Sequence, residues 1–327
     1  MKTLVITSEI PHQNFELLKP LNLEEQSGWR ILYNPPPGTK CDYWIVFSYG
    51  RPSDQMNCSR LNTAYLAGEP SSKKIYPRKF YGQFDKIFSS NKDEPHGKVM
   101  QVFPSLNWHV GLNLESGSYS YGYKELSLLK IPEKRDKISV ICSNLDKTEG
   151  QKKRLKFLEL AKNELGENLV HFGKGFQIIT DKMDAILQFK YHLVLENDSI
   201  PFYWSEKLSD AFLGFAYPFY HGCTNINKLF DKDSLSILDI NDPSKSIEVM
   251  KSAILNNLWL SRKENVLSSR DLILNELNIF NQCISIAREN FVSAEILYDY
   301  EIESAKFFRQ FPRNFFYILS RFLKSRL

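Results

Sequence analysis

The sequence predicts an α/β protein: two Rossmann-like domains followed by C-terminal helices. Three observations carry that expectation. Short apolar runs alternate with helical segments through the middle of the chain, the pattern of parallel strands joined by crossover helices. Several runs end in loops rich in Asn, Ser and Gly, where such a sheet opens to a ligand. A length of 327 residues suits two domains better than one. The expected divisions are a first domain over residues 1–125, a second over 137–270 and C-terminal helices over 271–327.

In the first domain, residues 4–6, 43–47 and 86–89 read as strands. Asn34-Pro35-Pro36-Pro37-Gly38 and Arg51-Pro52-Ser53 read as loops, because proline removes a ladder donor. Residues 107–136 read as an irregular connection between domains. The second domain opens with a strand at 138–142 and a helix at 154–165, with Leu155, Leu158, Leu160 and Leu165 mostly on one face. A strand at 168–172 precedes Gly173-Lys174-Gly175. Asp181 suits the N-cap of a helix reaching Phe189, with Lys182, Asp184 and Lys190 outward. A strand ending in Glu196-Asn197, a helix at 205–213 and strands at 217–220 and 237–240 follow. From Ser244 the pattern is helical to the end.

Composition narrows the class. The chain is 43% apolar and 24% charged, as soluble globular proteins are. No run reaches the ~18 apolar residues of a membrane span, and the first residues lack a signal-peptide core. Five scattered cysteines without CxxC spacing imply reduced thiols and neither a zinc site nor a disulfide framework. The net charge of +4 is uneven: residues 304–327 hold six cations and no acid, leaving 36 basic against 38 acidic residues elsewhere. A near-neutral body argues against a nucleic-acid partner. In the tail, Phe315, Ile318, Leu319 and Phe322 share a helical face, which suits an anionic membrane surface or, alternatively, docking on the protein itself.

Residues 189–222 carry the chemistry. A helix opening near Ser205 aims free amides and a positive dipole end at any anion in the crevice. Lys207 offers a point charge suited to phosphate, and Glu206 a carboxylate suited to paired sugar hydroxyls. The same residues also fit a plain helix start, with Ser205 as cap and two solvated first-turn side chains.

Glu196-Asn197-Asp198-Ser199, Tyr203-Trp204-Ser205-Glu206-Lys207-Leu208 and Pro218-Phe219-Tyr220-His221-Gly222 follow one another at tight spacing. Together they resemble the signature of glycosyltransferase family 10, the α1,3/4-fucosyltransferases, in its bacterial form. Phe189-Lys190-Tyr191, Lys182 and Val140-Ile141-Cys142-Ser143-Asn144 extend the likeness upstream, and Phe230 with Asp239 to Asp242 extends it downstream. Residues 137–245 are covered. The resemblance implies a GT-B fold of two facing domains, the second binding a GDP-sugar. It implies that Asn197 and Tyr203 contact the distal phosphate, Glu206 the ribose hydroxyls and Lys207 the diphosphate, with Glu196 and Ser205 as further donor-binding residues. The family also uses an upstream arginine, for which the corresponding stretch here offers Lys174. Trp204-Ser205 stands for Val-Thr and Leu195 for Phe, departures near the sugar that leave its identity open.

In the first domain, Tyr65-Leu66-Ala67-Gly68-Glu69-Pro70 places a carboxylate after a glycine at the end of an apolar run. Alone it fits a turn residue; the resemblance makes Glu69 the general base. The implied reaction is inverting, metal-independent transfer of fucose from GDP-fucose to a glycan hydroxyl of lipopolysaccharide O-antigen or capsule, with no cofactor. The enzyme would be cytoplasmic, held peripherally at the inner face of the membrane by residues 304–327. Transfer of another GDP-deoxysugar, or an inactive carbohydrate- or nucleotide-binding protein, are the alternatives. Asp231-Lys232-Asp233 has the form of a metal-binding Asp-x-Asp but reads as a solvated turn, and the six histidines show no ligand spacing.

Overall fold

The computed structural model describes residues 1–48, 50–51, 53–69, 76–295 and 299–309. Its chain divides into two compact units. The first comprises Met1–Phe15, Asn22–Pro104 and the chain from Cys283 onward; the second comprises Glu16–Leu21 and Ser105–Gln282. The stretch at 107–136, expected as a connection, thus begins inside the second unit.

The first unit holds β1 (Lys2–Thr7), β2 (Trp29–Tyr33), β3 (Thr39–Lys40), β4 (Tyr43–Phe47), β5 (Ser53–Asn57), β6 (Thr63–Leu66), β7 (Lys86–Ser89) and β8 (Val99–Gln101). Six of them form a parallel sheet in the order β2-β1-β4-β6-β7-β8. Both faces of its centre are covered, so Tyr43-Trp44-Ile45-Val46-Phe47 is buried throughout and reads as a continuous apolar run. Residue 53, expected in a loop, starts β5. The chain is not helical to its end either: Tyr300–Glu303 forms β14, antiparallel to β5 in the small sheet β14-β5-β3. The side chain of Gln83 receives this strand, accepting from Glu303 N at 2.8 Å and donating to Glu303 O at 2.9 Å. A helix, Ala305–Arg309, follows. The amphipathic stretch expected at 312–327 lies outside the described residues.

The second unit is built on β9 (Arg135–Ile141), β10 (Leu169–Phe172), β11 (Phe189–Leu195), β12 (Tyr217–His221) and β13 (Ser236–Ile237), all parallel, in the order β10-β9-β11-β12-β13. This is a doubly wound order, 2-1-3-4-5 in chain sequence, with its switch point between β9 and β11. Ligands of such sheets bind at the carboxyl ends of the strands beside that point.

Two helices frame it. Glu149–Leu165 starts with a capping box, Thr148 Oγ1 accepting from Gln151 N and Gln151 Oε1 from Thr148 N. Its buried face is Arg154, Phe157, Leu158, Ala161 and Leu165, whereas Leu160, expected on the apolar side, is 39% exposed. Glu206–Leu213 follows its N-cap Ser205 as expected. The Asp181-capped helix is shorter than expected, Lys182–Ile186, because Phe189 already opens β11. All five cysteines are buried and free.

Candidate functional site

The site grows from the carboxyl end of β11. Glu196, the next residue, has a side chain closed off from solvent, and both its oxygens are occupied. Oε1 accepts from Ser205 N at 2.8 Å and Oε2 from Ser205 Oγ at 2.6 Å and Lys207 Nζ at 3.3 Å. Ser205 Oγ in turn accepts from Lys207 N at 3.4 Å and Nζ at 3.0 Å. Glu196 therefore ties the strand end to the helix N-terminus and holds Lys207. The sequence reading placed Glu196 and Ser205 among the donor contacts; in the structure both are buried and serve as a bracket. Gly222, at the end of β12, is required by that bracket, because a Cβ there would stand 2.5 Å from Glu196 Cγ and 2.5 Å from the Tyr220 hydroxyl.

Glu206 is the hub of a larger cluster. Its Oε1 lies 3.5 Å from Lys207 Nζ, 3.5 Å from Lys182 Nζ and 3.7 Å from His109 Nδ1. Burial by itself would raise the Glu206 carboxyl, but Lys207 and then Lys182 overcome it and hold the group well below the usual carboxylate range. Against the same burial, Glu196 and Glu206 raise the Lys207 ammonium, and Asp210 and Glu206 raise that of Lys182. His109 is lowered, first by burial and then by Lys182, so its imidazole is neutral near pH 7.

Sequence reasoning set Lys182 outward; its ammonium instead turns inward, 2.9 Å from Asp210 Oδ2. Asp210 Oδ1 accepts the backbone amides of His109 and Val110 at 2.7 and 3.0 Å, and Asp181 Oδ1 accepts that of Gly111 at 2.9 Å. These two carboxylates hold residues 109–111 against two helices of the same unit, which no local pattern in the loop could signal.

On the neighbouring side a cavity of about 540 Å³ opens between the Glu149–Leu165 N-terminus and the ends of β11, β12 and β13. Lys153, Arg154, Asn197, His221 and Asp239 are among its lining residues. The Arg154 side chain is buried, one Nη donating to Leu195 O at 3.2 Å, while its Nε has no partner among the described residues. An unpaired buried donor is unfavourable unless a ligand meets the group, and here it lies one turn inside a helix whose free amides favour anions. Arg154 was missed in the sequence, although a cation on the apolar stripe of a helix was a signal for it.

Asn197 is exposed at the cavity, and Tyr203 is buried within electrostatic reach of Lys207. Lys174 is exposed in the turn after β10 and is not among the cavity's lining residues. Trp204, expected near a sugar, packs edge-on against Phe230 at 5.5 Å and is only 2% exposed. Asp233 pairs with Arg262 at 3.1 Å and its amide donates to Asp231 Oδ1 at 2.7 Å, an ordinary turn. In the first unit, Glu69 stands three residues beyond β6, at the carboxyl end of the central part of that sheet.

No family model matches the chain, and no curated protein matches it. Solved structures do. An α-glucosyltransferase in complex with UDP and a 13-mer DNA is 11% identical, the match covering 88% of this chain and 99% of that one at a TM-score of 0.50. An α1,3-fucosyltransferase with GDP is 16% identical over 84% of this chain and 90% of that one, at 0.49. An α1,3-fucosyltransferase with GDP-fucose gives the same identity and coverage at 0.45. At these identities the likeness speaks for the fold, two Rossmann-like domains of the GT-B type.

Proposed function

We propose that the protein is a glycosyltransferase that moves a sugar, fucose by the resemblance of its signature, from a GDP-sugar to a glycan hydroxyl. The observation that carries this reading is the pairing of a carboxylate and an ammonium, Glu206 and Lys207, at a helix N-terminus beside an Arg154-lined cavity. All lie at the carboxyl ends of a doubly wound sheet, where a nucleotide is expected. The cavity is within the ~300–1,000 Å³ typical of small-molecule sites. The α-glucosyltransferase of similar fold was solved with UDP, itself a nucleoside diphosphate.

In this reading Glu206 accepts hydrogen bonds from two ribose hydroxyls. Arg154, Asn197, Tyr203 and Lys207 hold the diphosphate, Lys207 standing between its two carboxylate partners, Glu196 and Glu206. An acceptor hydroxyl attacks the anomeric carbon from the face opposite the diphosphate. The new C–O bond forms as the bond to the diphosphate breaks, and the hydroxyl proton passes to the Glu69 carboxylate. Charge developing on the leaving GDP is met by Arg154, Lys207 and the two helix N-termini. One displacement inverts the centre and calls for no metal ion. Lipopolysaccharide or capsule as the acceptor, and peripheral membrane attachment through residues 304–327, complete the proposal.

A thermal-shift panel of nucleotides and nucleotide sugars tests it. GDP and GDP-fucose are expected to stabilise the protein and UDP or ADP not. Glu69→Gln should abolish transfer and spare GDP binding, whereas Arg154→Ala and Lys207→Ala should each weaken GDP about tenfold or more, as loss of a charge-assisted contact does. Absence of any GDP response in the wild type would overturn the reading.

A further inference from the structure

We propose that Lys182 and Asp210 are a positioning pair for Glu206, setting how its carboxylate is presented to the hydroxyls of a bound nucleotide. The inference rests on the reading of Glu206 as the ribose-binding carboxylate.

The geometry runs from the helix. Glu206 and Asp210 are four residues apart in the Glu206–Leu213 helix and so project from one face. Lys182, first residue of the Lys182–Ile186 helix, enters between them. Its ammonium has three protons and three acceptors: Asp210 Oδ2 at 2.9 Å, His109 Nδ1 at 3.3 Å and Glu206 Oε1 at 3.5 Å. Acceptance at Nδ1 requires the neutral imidazole protonated at Nε2. Asp210 cannot follow a moving lysine, because its other oxygen is fixed by the amides of His109 and Val110. Its side chain is 1% exposed and that of Lys182 13%, so both act through Glu206.

The consequence is a carboxylate gripped on one oxygen. Lys182 and Lys207 meet the same atom, Oε1, each ammonium held from behind by a buried carboxylate, Asp210 for one and Glu196 for the other. Two cations on one oxygen keep the group ionised and fix its rotation, which leaves the rest of the carboxylate for hydroxyl donors. Without Lys182, Glu206 is free to rotate toward Lys207, and selectivity for a ribose is lost before affinity for the phosphates.

Calorimetric titration of GDP and of 2′,3′-dideoxy-GDP measures that selectivity. The wild type is expected to prefer GDP by about tenfold or more, since two hydrogen bonds to a charged acceptor are at stake. In Lys182→Met the preference should fall to within about threefold of unity while dideoxy-GDP binding changes little, and Lys182→Arg should restore most of it. Asp210→Asn, which keeps an acceptor for the two amides, should behave as Lys182→Met does. A Lys182→Met protein that retains the full preference, or that loses both nucleotides in equal measure, would show a merely structural lysine. A wild type that binds both nucleotides equally would remove Glu206 from the ribose and the pair with it; one that binds neither would overturn the proposed function as well.

Discussion

Acid should dismantle the second unit through one buried imidazole. His192 lies in the middle of β11, is 4% exposed, and shares a 2.8 Å hydrogen bond between Nδ1 and Ser139 Oγ of β9. Burial, followed by the charges of Lys182 and Lys134, lowers it from an ordinary 6.5 to about 3. The folded state therefore keeps this group neutral where the unfolded chain takes up a proton. The stability it protects is present above about pH 6.5 and is lost as pH falls toward 3. At about 1.4 kcal/mol per unit, the full loss approaches ~5 kcal/mol, and about 2 kcal/mol is already gone at pH 5. That is a large share of the ~5–15 kcal/mol holding a typical domain. The strand affected ends at Leu195, directly before Glu196, so the bracket on Lys207 goes with it. Urea unfolding followed by tryptophan fluorescence from pH 7 to pH 4 measures the slope, and His192→Asn, which keeps a partner for Ser139, should flatten it. Equal pH slopes for wild type and variant would refute the assignment, whatever their absolute stabilities.

Two further outcomes are expected. Glu196→Gln removes the charge that receives Ser205 Oγ and Lys207 Nζ while preserving shape; a charge-assisted bond of this kind contributes ~2 kcal/mol. The melting temperature of the second unit should then fall by about 4–8 °C in scanning calorimetry, and a shift under 1 °C would contradict the bracket. Deleting residues 312–327 should release the protein from anionic vesicles in a sedimentation assay; full-length protein that ignores such vesicles would remove the membrane from the proposal.

The elements legible in the sequence were those whose signal is local. Residues 43–47 form a strand because every side chain in the run is apolar, and Ser205 starts a helix because its hydroxyl caps Lys207 N, a bond made within three residues. Asp181 was likewise readable as a cap, yet the length of its helix was not, since the competing strand at Phe189 is imposed by pairing with β9 and β12. β14 escaped notice because four alternating residues have no preference strong enough to outweigh the helices before them; the ladder to β5 and the Gln83 side chain decide it. In the site, Glu196, Glu206 and Lys207 could be found by their spacing, because the strand-loop-helix unit that carries them is contiguous. Arg154, Lys182 and His109 come from three other segments, and their partners in the site are 24 to 101 positions away in the chain. Local sequence accounts for the alternation of strands and helices, the helix start and its ionic pair. Tertiary structure alone decided which charges face one another, because a buried charge takes its partner from whatever the packed sheet brings within about 4 Å, and sequence distance does not enter that choice.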